Sequence, residues 1–191
     1  MPITFAPESP PRTELLAEIK AKAVVHGKVI LSSGQEADFY IDLRRVGLDG
    51  SVAPLVGRVM LETVRDLDFD AVGGLTLGAD PVASAMMHAA AAHPDLVGGR
   101  KIDAFVVRKS EKAHGLQRRI EGPDIAGRRV LIVEDTSTTG QSPMTAVEAA
   151  REAGAEVVAV AVIVERGAEP VIDAAGLPYY AAFGLADLGL A

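Results

Sequence analysis

Apolar residues follow two patterns along this chain, and the two patterns alternate. Continuous apolar runs in "DAVGG", "IDAFVVR", "RVLIVE" and "EVVAVAVIV" predict four buried strands. Apolar positions recur at helical spacing from Ser51 onwards, which predicts a helix with one buried face. Further helices are predicted over residues 13–26 and from Pro81 through "PVASAMMHAAAAH".

The order of these elements predicts an α/β fold. A last helix is expected to begin at Ser142 and Pro143, which are N-cap and first-turn residue types, and to end near Gly154. Strands that are apolar without alternation are expected where helices cover both faces, and right-handed crossovers then favour a doubly wound parallel sheet. Two short extended segments, "KVILSSG" and "DFYIDL", precede the sheet and are expected to form a small flap over one domain of residues 1–191.

The composition and net charge of the chain reduce the number of functions that it could have. The 191 residues are about one domain's worth, and the absence of cysteine excludes a disulfide framework or a thiolate metal site. A net charge of -7 gives no support to a nucleic acid or a membrane surface as the main partner. The start "MPITFAPESPPRTE" lacks a signal-peptide pattern, and no segment has the length and purity of a membrane span, so a cytoplasmic location is the default expectation.

The stretch "VLIVEDTSTTGQS", residues 130–142, carries the strongest chemical signal. Its apolar strand delivers Glu134 and Asp135 to the carboxyl edge of the sheet, where ligands of such folds collect. The hydroxyls and amides that follow can surround a phosphate at the N-terminus of the next helix. Carboxylates beside a phosphate repel it unless they hold sugar hydroxyls, a metal or a developing positive charge. Solvated acids before a turn and a helix cap are the alternative, but all these features in one continuous order favour a sugar phosphate site.

This stretch resembles the phosphoribosyl-pyrophosphate (PRPP) motif of type I phosphoribosyltransferases. The resemblance implies the α/β fold, with a hood over the active site built from about residues 1–50 and the C-terminal segment. It also implies that the acidic pair binds the ribose hydroxyls and that the loop binds the 5′-phosphate. The predicted PRPP-binding residues here are Glu134, Asp135, Thr136, Ser137, Thr138, Thr139, Gly140, Gln141 and Ser142.

A basic segment between two predicted strands narrows the resemblance. Residues 108–119 hold five of the chain's 19 lysines and arginines, together with His114. Such a run is ordinarily a solvated face, but a chain that must hold a pyrophosphate has a use for it. "RKSEKAHG" is similar to the catalytic loop of the orotate phosphoribosyltransferase branch. The resemblance implies pyrophosphate contacts from Arg108, Lys109, Lys112 and His114.

Weaker matches point to the site of the base. "LSSGQEADFYID" resembles the base-site segment of the same branch, in which Phe39 and Tyr40 could lie against a flat pyrimidine. Arg166 matches an arginine beside the base, and its fork suits a carboxylate. The predicted orotate-binding residues are Thr138, Arg166 and Tyr40. Many members have lysines where this chain has Ser32 and Gly78, so those contacts are not carried over.

The resemblance implies Mg²⁺-dependent transfer of the phosphoribosyl group from PRPP to orotate, a step of pyrimidine biosynthesis. Lys109, Lys112, Glu134 and Asp135 are the predicted catalytic residues. Mg²⁺ is expected to be held mainly by the substrate, with no direct protein ligand. A homodimer is implied whose catalytic loop is shared between subunits. A phosphoribosyltransferase for another base and a PRPP-sensing regulator without catalysis remain open as alternatives.

Overall fold

A mostly parallel sheet lies at the centre of the molecule. The structure, a computed structural model, describes residues 2–30, 36–109 and 119–191. In these ranges the strands are β1 (Thr4–Phe5), β2 (Val24–Ile30), β3 (Glu36–Ile41), β4 (Ala71–Leu75), β5 (Asp103–Val107), β6 (Ile120–Glu121), β7 (Arg129–Ser137), β8 (Glu156–Glu165) and β9 (Tyr179–Gly184). The central sheet has the order β1-β9-β8-β7-β4-β5-β6, in which only the pairing of β6 with β5 is antiparallel, and β2 and β3 form a separate hairpin.

Helices cover both faces of this sheet. They are α1 (Pro10–Glu18), α2 (Arg44–Gly47), α3 (Ala53–Thr63), α4 (Ala79–Ala92), α5 (Gln141–Glu152), α6 (Glu169–Ala174) and α7 (Leu185–Leu188), with a π-helical turn at Ile19–Ala23 and a 3₁₀ turn at Pro94–Val97. None of the helices within the described ranges is long and apolar enough to cross a membrane.

Successive residues of the central strands belong to opposite cores. Leu131 and Val133 pack in the core that contains the buried residues of α1, α3 and α4. Val130 and Ile132 pack instead in the core with the buried residues of α5 and α6. Both faces of β7 are therefore covered, which explains why its sequence is apolar without alternation. The predicted doubly wound α/β fold is confirmed.

The sheet changes direction between β4 and β7. From β4 the chain passes through α4 to β5, and then returns to the other side of β4 to form β7. From β7 it continues outward through α5 to β8. Because α4 and α5 leave on opposite faces, a crevice opens outside the carboxyl ends of β4 and β7, where open α/β sheets bind ligands.

The first predicted helix is displaced along the chain. It was expected over residues 13–26, but α1 begins at Pro10, where the Oγ of Ser9 accepts a hydrogen bond from the backbone N–H of Arg12 at 3.3 Å. The helical path ends at Ala23, and Val24 pairs with Ile41 in the hairpin. The prediction for residues 24–26 was wrong because tertiary pairing of β-branched residues replaced the helical pattern.

The start of α5 also differs from the prediction. The helix begins at Gln141, and its N-cap is Gly140 rather than Ser142, which lies inside the first turn. Gly140 has φ 73°, a left-handed conformation that glycine adopts without steric cost. Thr136 and Ser137 remain in β7, so the connection between strand and helix is only residues 138–140.

Candidate active site

A cavity of about 270 Å³ lies at the carboxyl ends of β4 and β7. It brings together seven residues that the sequence had marked: Tyr40, Lys109, Glu134, Asp135, Thr136, Ser142 and Arg166. Its other lining residues are Ile41, Arg44, Leu75, Thr76, Leu77 and Gly78. The cavity therefore joins the end of the hairpin, the segment after β4 and the acidic end of β7 at the point where the sheet changes direction.

The carboxylate of Glu134 is buried, and that of Asp135 beside it is half-buried. The side chain of Glu134 accepts a hydrogen bond from the N–H of Asp135 at 3.1 Å, and Asp135 accepts one from the N–H of Thr136 at 2.7 Å. Gly78, the N-cap of α4, lies directly against both carboxylates. A Cβ atom at this position would come within 2.4 Å of Glu134 Oε1 and 2.8 Å of Asp135 Oδ1, so the arrangement excludes a lysine there.

Burial changes the acidity of this pair. Burial raises the pKa of Glu134 to about 8, and the negative charges of Asp135 and Asp80 act in the same direction. Burial also raises the pKa of Asp135, while hydrogen bonds and the charge of Arg44 act against that rise. Two carboxyl groups that are costly to ionise together favour a ligand that supplies hydroxyl donors or positive charge.

Two further polar groups of the cavity need partners. Thr136 Oγ1 and Arg166 Nε are buried, and neither makes a hydrogen bond within the described part of the chain. The Arg166 guanidinium lies over the ring of Phe39, with its carbon 5.7 Å from the ring centre. Buried donors and acceptors are costly when unpaired, so these groups point to a polar ligand.

The carboxylate of Glu165 holds the backbone of Arg166 in place. Glu165 was not predicted from the sequence as part of the site. Its carboxylate accepts hydrogen bonds from the N–H groups of Arg166 and Gly167, both at 2.7 Å, and from two more N–H groups at the start of α6. The hydroxyl of Tyr179 donates a fifth bond at 2.9 Å. An acid a few residues before a new helix is typical of a helix-capping carboxylate, and Glu165, four residues before the start of α6 at Glu169, carried this signal.

The loop between β7 and α5 borders the site but does not line this cavity. The predicted phosphate-binding residues Ser137, Thr138, Thr139, Gly140 and Gln141 are absent from its lining. Thr138, Thr139 and Gln141 are exposed, whereas Ser137 and Gly140 are buried. The exposed hydroxyls and the first turn of α5 are therefore accessible to a group that extends out of the cavity.

The predicted cations separate into three sets. Lys109 lines the cavity. Arg108 points elsewhere, because its Nη1 pairs with Glu121 Oε1 at 3.2 Å. Lys112 and His114 lie outside the described residues. Arg44, which the sequence reasoning did not mark, lines the cavity, and its Nε donates to Asp42 Oδ1 at 2.7 Å.

Comparison with known families agrees with this geometry. The family model for the phosphoribosyl transferase domain matches residues 55–175, which include β4, the acidic pair and Arg166. The doubly wound sheet and the buried acids before a hydroxyl-rich loop are thus those of a phosphoribosyltransferase.

Close relatives define the branch. The chain is 68% identical over 182 residues to the orotate phosphoribosyltransferase of Streptomyces coelicolor, covering 94% of this chain and 97% of that one. The crystal structure of Mycobacterium tuberculosis H37Rv orotate phosphoribosyltransferase with Fe(III) dicitrate matches with a TM-score of 0.83 and 56% identity, over 95% of this chain and 100% of that one. The same M. tuberculosis enzyme with PRPP matches with a TM-score of 0.80 and 50% identity, at the same coverage. The chain belongs to the orotate phosphoribosyltransferase family.

Proposed function

We propose that the protein transfers the 5-phosphoribosyl group from PRPP to orotate, giving orotidine 5′-phosphate and pyrophosphate in de novo pyrimidine biosynthesis. The observation that carries the proposal is the cavity at the β4–β7 switch point, which joins the buried acidic pair to Arg166. The identity to orotate phosphoribosyltransferases supports orotate as the accepting base. The PRPP complex of the M. tuberculosis relative supports PRPP as the donor.

The sugar phosphate fits the end of β7. Glu134 and Asp135 accept hydrogen bonds from the ribose hydroxyls, which supplies the donors that the buried pair needs. The 5′-phosphate extends to the loop and the first turn of α5, where Thr136, Ser137, Thr138, Thr139, Gly140, Gln141 and Ser142 offer hydroxyls and free amides. The positive end of the α5 dipole favours a phosphate at this position.

Orotate fits between the hairpin and Arg166. The planar base lies against Tyr40 and Phe39, and the guanidinium of Arg166 binds its carboxylate. Thr138 contributes a further polar contact. We assign no general base, because the ring nitrogen of orotate can bind already ionised.

Positive charge develops on the ribose ring as its bond to pyrophosphate breaks. Lys109, together with Lys112, His114 and Arg108, stabilises the departing pyrophosphate electrostatically. Arg108 serves this role only if it leaves Glu121, with which it pairs in this structure. Excluding water from the closed site protects the activated sugar from hydrolysis.

Mg²⁺ is part of the proposal and fits the residues present. The acidic pair offers oxygen atoms, the ligand type that Mg²⁺ prefers, while no cluster of three acids or histidines capable of holding a metal occurs in residues 2–30, 36–109 and 119–191. Glu134 and Asp135 would therefore accept hydrogen bonds from its waters rather than enclose it. When bound, the ion would neutralise charge on the pyrophosphate.

The hood, the cytoplasmic location and the dimer belong to the same proposal. Tyr40, Ile41 and Arg44 of the N-terminal part line the cavity, which supports a hood formed by about residues 1–50 with the C-terminal segment. We propose a homodimer in which each subunit supplies Lys112 and His114 to its partner's site, because the connection between β5 and β7 is long for a compact α/β unit.

Mixed dimers test the shared site. Lys112→Ala and Asp135→Asn subunits, each nearly inactive alone, are unfolded and refolded together in equal amounts. Random pairing makes half of the dimers mixed, and each mixed dimer has one intact site, so about a quarter of wild-type activity should return. No recovery, with mixed dimers confirmed by mass, would rule out a shared loop and leave the reaction untouched.

Ultraviolet absorbance tests the reaction itself. Orotate should be consumed when PRPP and Mg²⁺ are added to the purified protein. Unchanged orotate, with uracil or hypoxanthine consumed instead, would assign the chain to another base. PRPP binding without consumption of any base would favour the sensing regulator.

A further inference from the structure

Arg44 is a cation of the cavity that the proposed function does not use. We infer that Arg44 binds the pyrophosphate group of PRPP. The inference rests on the proposed function, because it names one more residue of the same site.

The guanidinium is held on one side and free on the other. Its Nε donates to Asp42 Oδ1 at 2.7 Å, and its Nη2 donates to the hydroxyl of Tyr40 at 3.3 Å. Among the described residues, no acceptor takes a hydrogen bond from Nη1. The side chain is 41% exposed, so its open edge remains available to a ligand in the cavity.

The position of Arg44 favours pyrophosphate over orotate. Arg44 and Asp135 interact electrostatically, and this interaction raises the pKa of Arg44, after the larger contribution of Asp42, and opposes the rise at Asp135. Arg44 and Asp135 also line the same cavity, and Asp135 is proposed to hold a ribose hydroxyl. Arg166 lies over Phe39 and provides a separate cation for the carboxylate of the base.

The contact of Gly78 with the acids leaves the cation of this part of the cavity to another segment. A side chain at position 78 would collide with Glu134 and Asp135, so no cation can project from this position while the pair keeps its place. Arg44 lines the same cavity as Leu77 and Gly78 but comes from α2 on the hairpin side. Asp42 is then a positioning residue, because it orients the guanidinium without touching the ligand.

Kinetics of Arg44→Gln test the inference, with Arg45→Gln as the matched control. Arg45 is the next residue and is exposed, and its nearest partners are the carbonyl of Lys22 at 3.5 Å and Asp42 Oδ2 at 3.8 Å. Loss of a charge-assisted hydrogen bond should raise the KM for PRPP about tenfold to a hundredfold in Arg44→Gln. The KM for orotate should rise much less, through the lost contact of Arg44 with Tyr40, and Arg45→Gln should match wild type. Equal rises in both KM values, or a rise in the KM for orotate alone, would overturn the inference.

Direct binding separates this inference from the proposed function. Inorganic pyrophosphate with Mg²⁺, titrated by calorimetry, should bind Arg44→Gln about tenfold or more weakly than wild type and Arg45→Gln. Binding needs no turnover, so the result stands even where orotate is not consumed. Equal pyrophosphate affinities in the three proteins would overturn the role of Arg44, whereas unchanged orotate in the wild-type assay would overturn only the reaction.

A second variant guards against a failure to fold. If Arg44→Gln does not give the wild-type circular dichroism spectrum, Arg44→Met decides, because it keeps an unbranched side chain and loses both the charge and the fork. A KM for PRPP above wild type with a much smaller change in the KM for orotate supports the inference. Wild-type values for both substrates in Arg44→Met contradict it.

Discussion

Two carboxylates on neighbouring strands, Glu134 of β7 and Glu165 of β8, have opposite surroundings. Glu165 ends β8 and accepts five hydrogen bonds from backbone N–H groups and Tyr179. Glu134, on the adjacent strand β7, lines the cavity, and the one backbone N–H that its carboxylate accepts within the described chain is that of the next residue. Glu165 is satisfied by the protein, and Glu134 is left for a ligand.

The difference shows that one carboxylate has a structural role and the acidic pair has a ligand-binding role. Glu165 accepts hydrogen bonds from the backbone N–H groups around Arg166 and so fixes the turn that presents this residue. The acidic pair has lost water without gaining enough partners, and burial accordingly raises the pKa of both groups. Such unpaired burial is tolerated mainly where ligand binding repays it.

The largest effect is expected from Asp135→Asn. The amide keeps the shape of the side chain but replaces an acceptor of ribose hydroxyls with a partial donor, so kcat/KM for PRPP should fall about a hundredfold or more. The melting temperature should stay close to wild type, because a neutral side chain suits this buried position. Wild-type steady-state kinetics in Asp135→Asn would refute the role of the acid.

Glu165→Gln should instead affect stability most. Its side-chain NH₂ would face N–H donors, so the free energy of unfolding in urea should fall by about 3 kcal/mol. The KM for orotate should also rise, because the backbone of Arg166 is no longer held. Glu152→Gln, on the exposed side of α5, is the control, and equal stability of the two variants would show that Glu165 is not the structural carboxylate.

Arg166→Ala tests whether the base and the sugar phosphate are bound by different residues. Removing the guanidinium should raise the KM for orotate about tenfold, while the KM for PRPP should change much less. Steady-state kinetics with each substrate varied in turn provide the measurement. Equal changes for both substrates would make Arg166 structural.

The most gradual effect is a pH dependence of stability. The folded-state pKa of Glu134 is about 8 and lies above its value in an unfolded chain, so between about pH 5 and 8 the folded protein holds a proton that the unfolded chain has released. This contribution makes stability fall as pH rises through that window, by at most about 1.4 kcal/mol per pH unit. In Glu134→Gln this contribution should be lost, and a wild-type-minus-variant difference that stays constant with pH would contradict it.

Structure and site could be predicted from the sequence best where the residues that define them are consecutive in the chain. The strands β4, β5, β7 and β8 could be predicted because their runs are continuously apolar, and the acidic pair because it directly follows such a run. The short strand β1 was missed because its two exposed residues carry no periodic signal. The strand β9 was missed because it is defined by its tertiary pairing with β8.

The missed site residues depend on contacts between distant segments. Arg44 enters the cavity because the hairpin β2–β3 precedes α2, and Gly78 matters because α4 begins against the end of β7. Neither contact has a local signature. Glu165 had a local signature, an acid a few residues before a helix, but its bond to Tyr179 depends on the pairing of β8 with β9.

PRPP binding by the two carboxylate variants tests the division of roles most directly. PRPP with Mg²⁺ would be titrated by calorimetry into wild type, Asp135→Asn and Glu165→Gln, each below its melting temperature. We predict that Asp135→Asn binds PRPP about a hundredfold or more weakly, while Glu165→Gln stays within about threefold of wild type. Tight PRPP binding by Asp135→Asn together with weak binding by Glu165→Gln would contradict the assignment of the acidic pair to the ligand and of Glu165 to the fold.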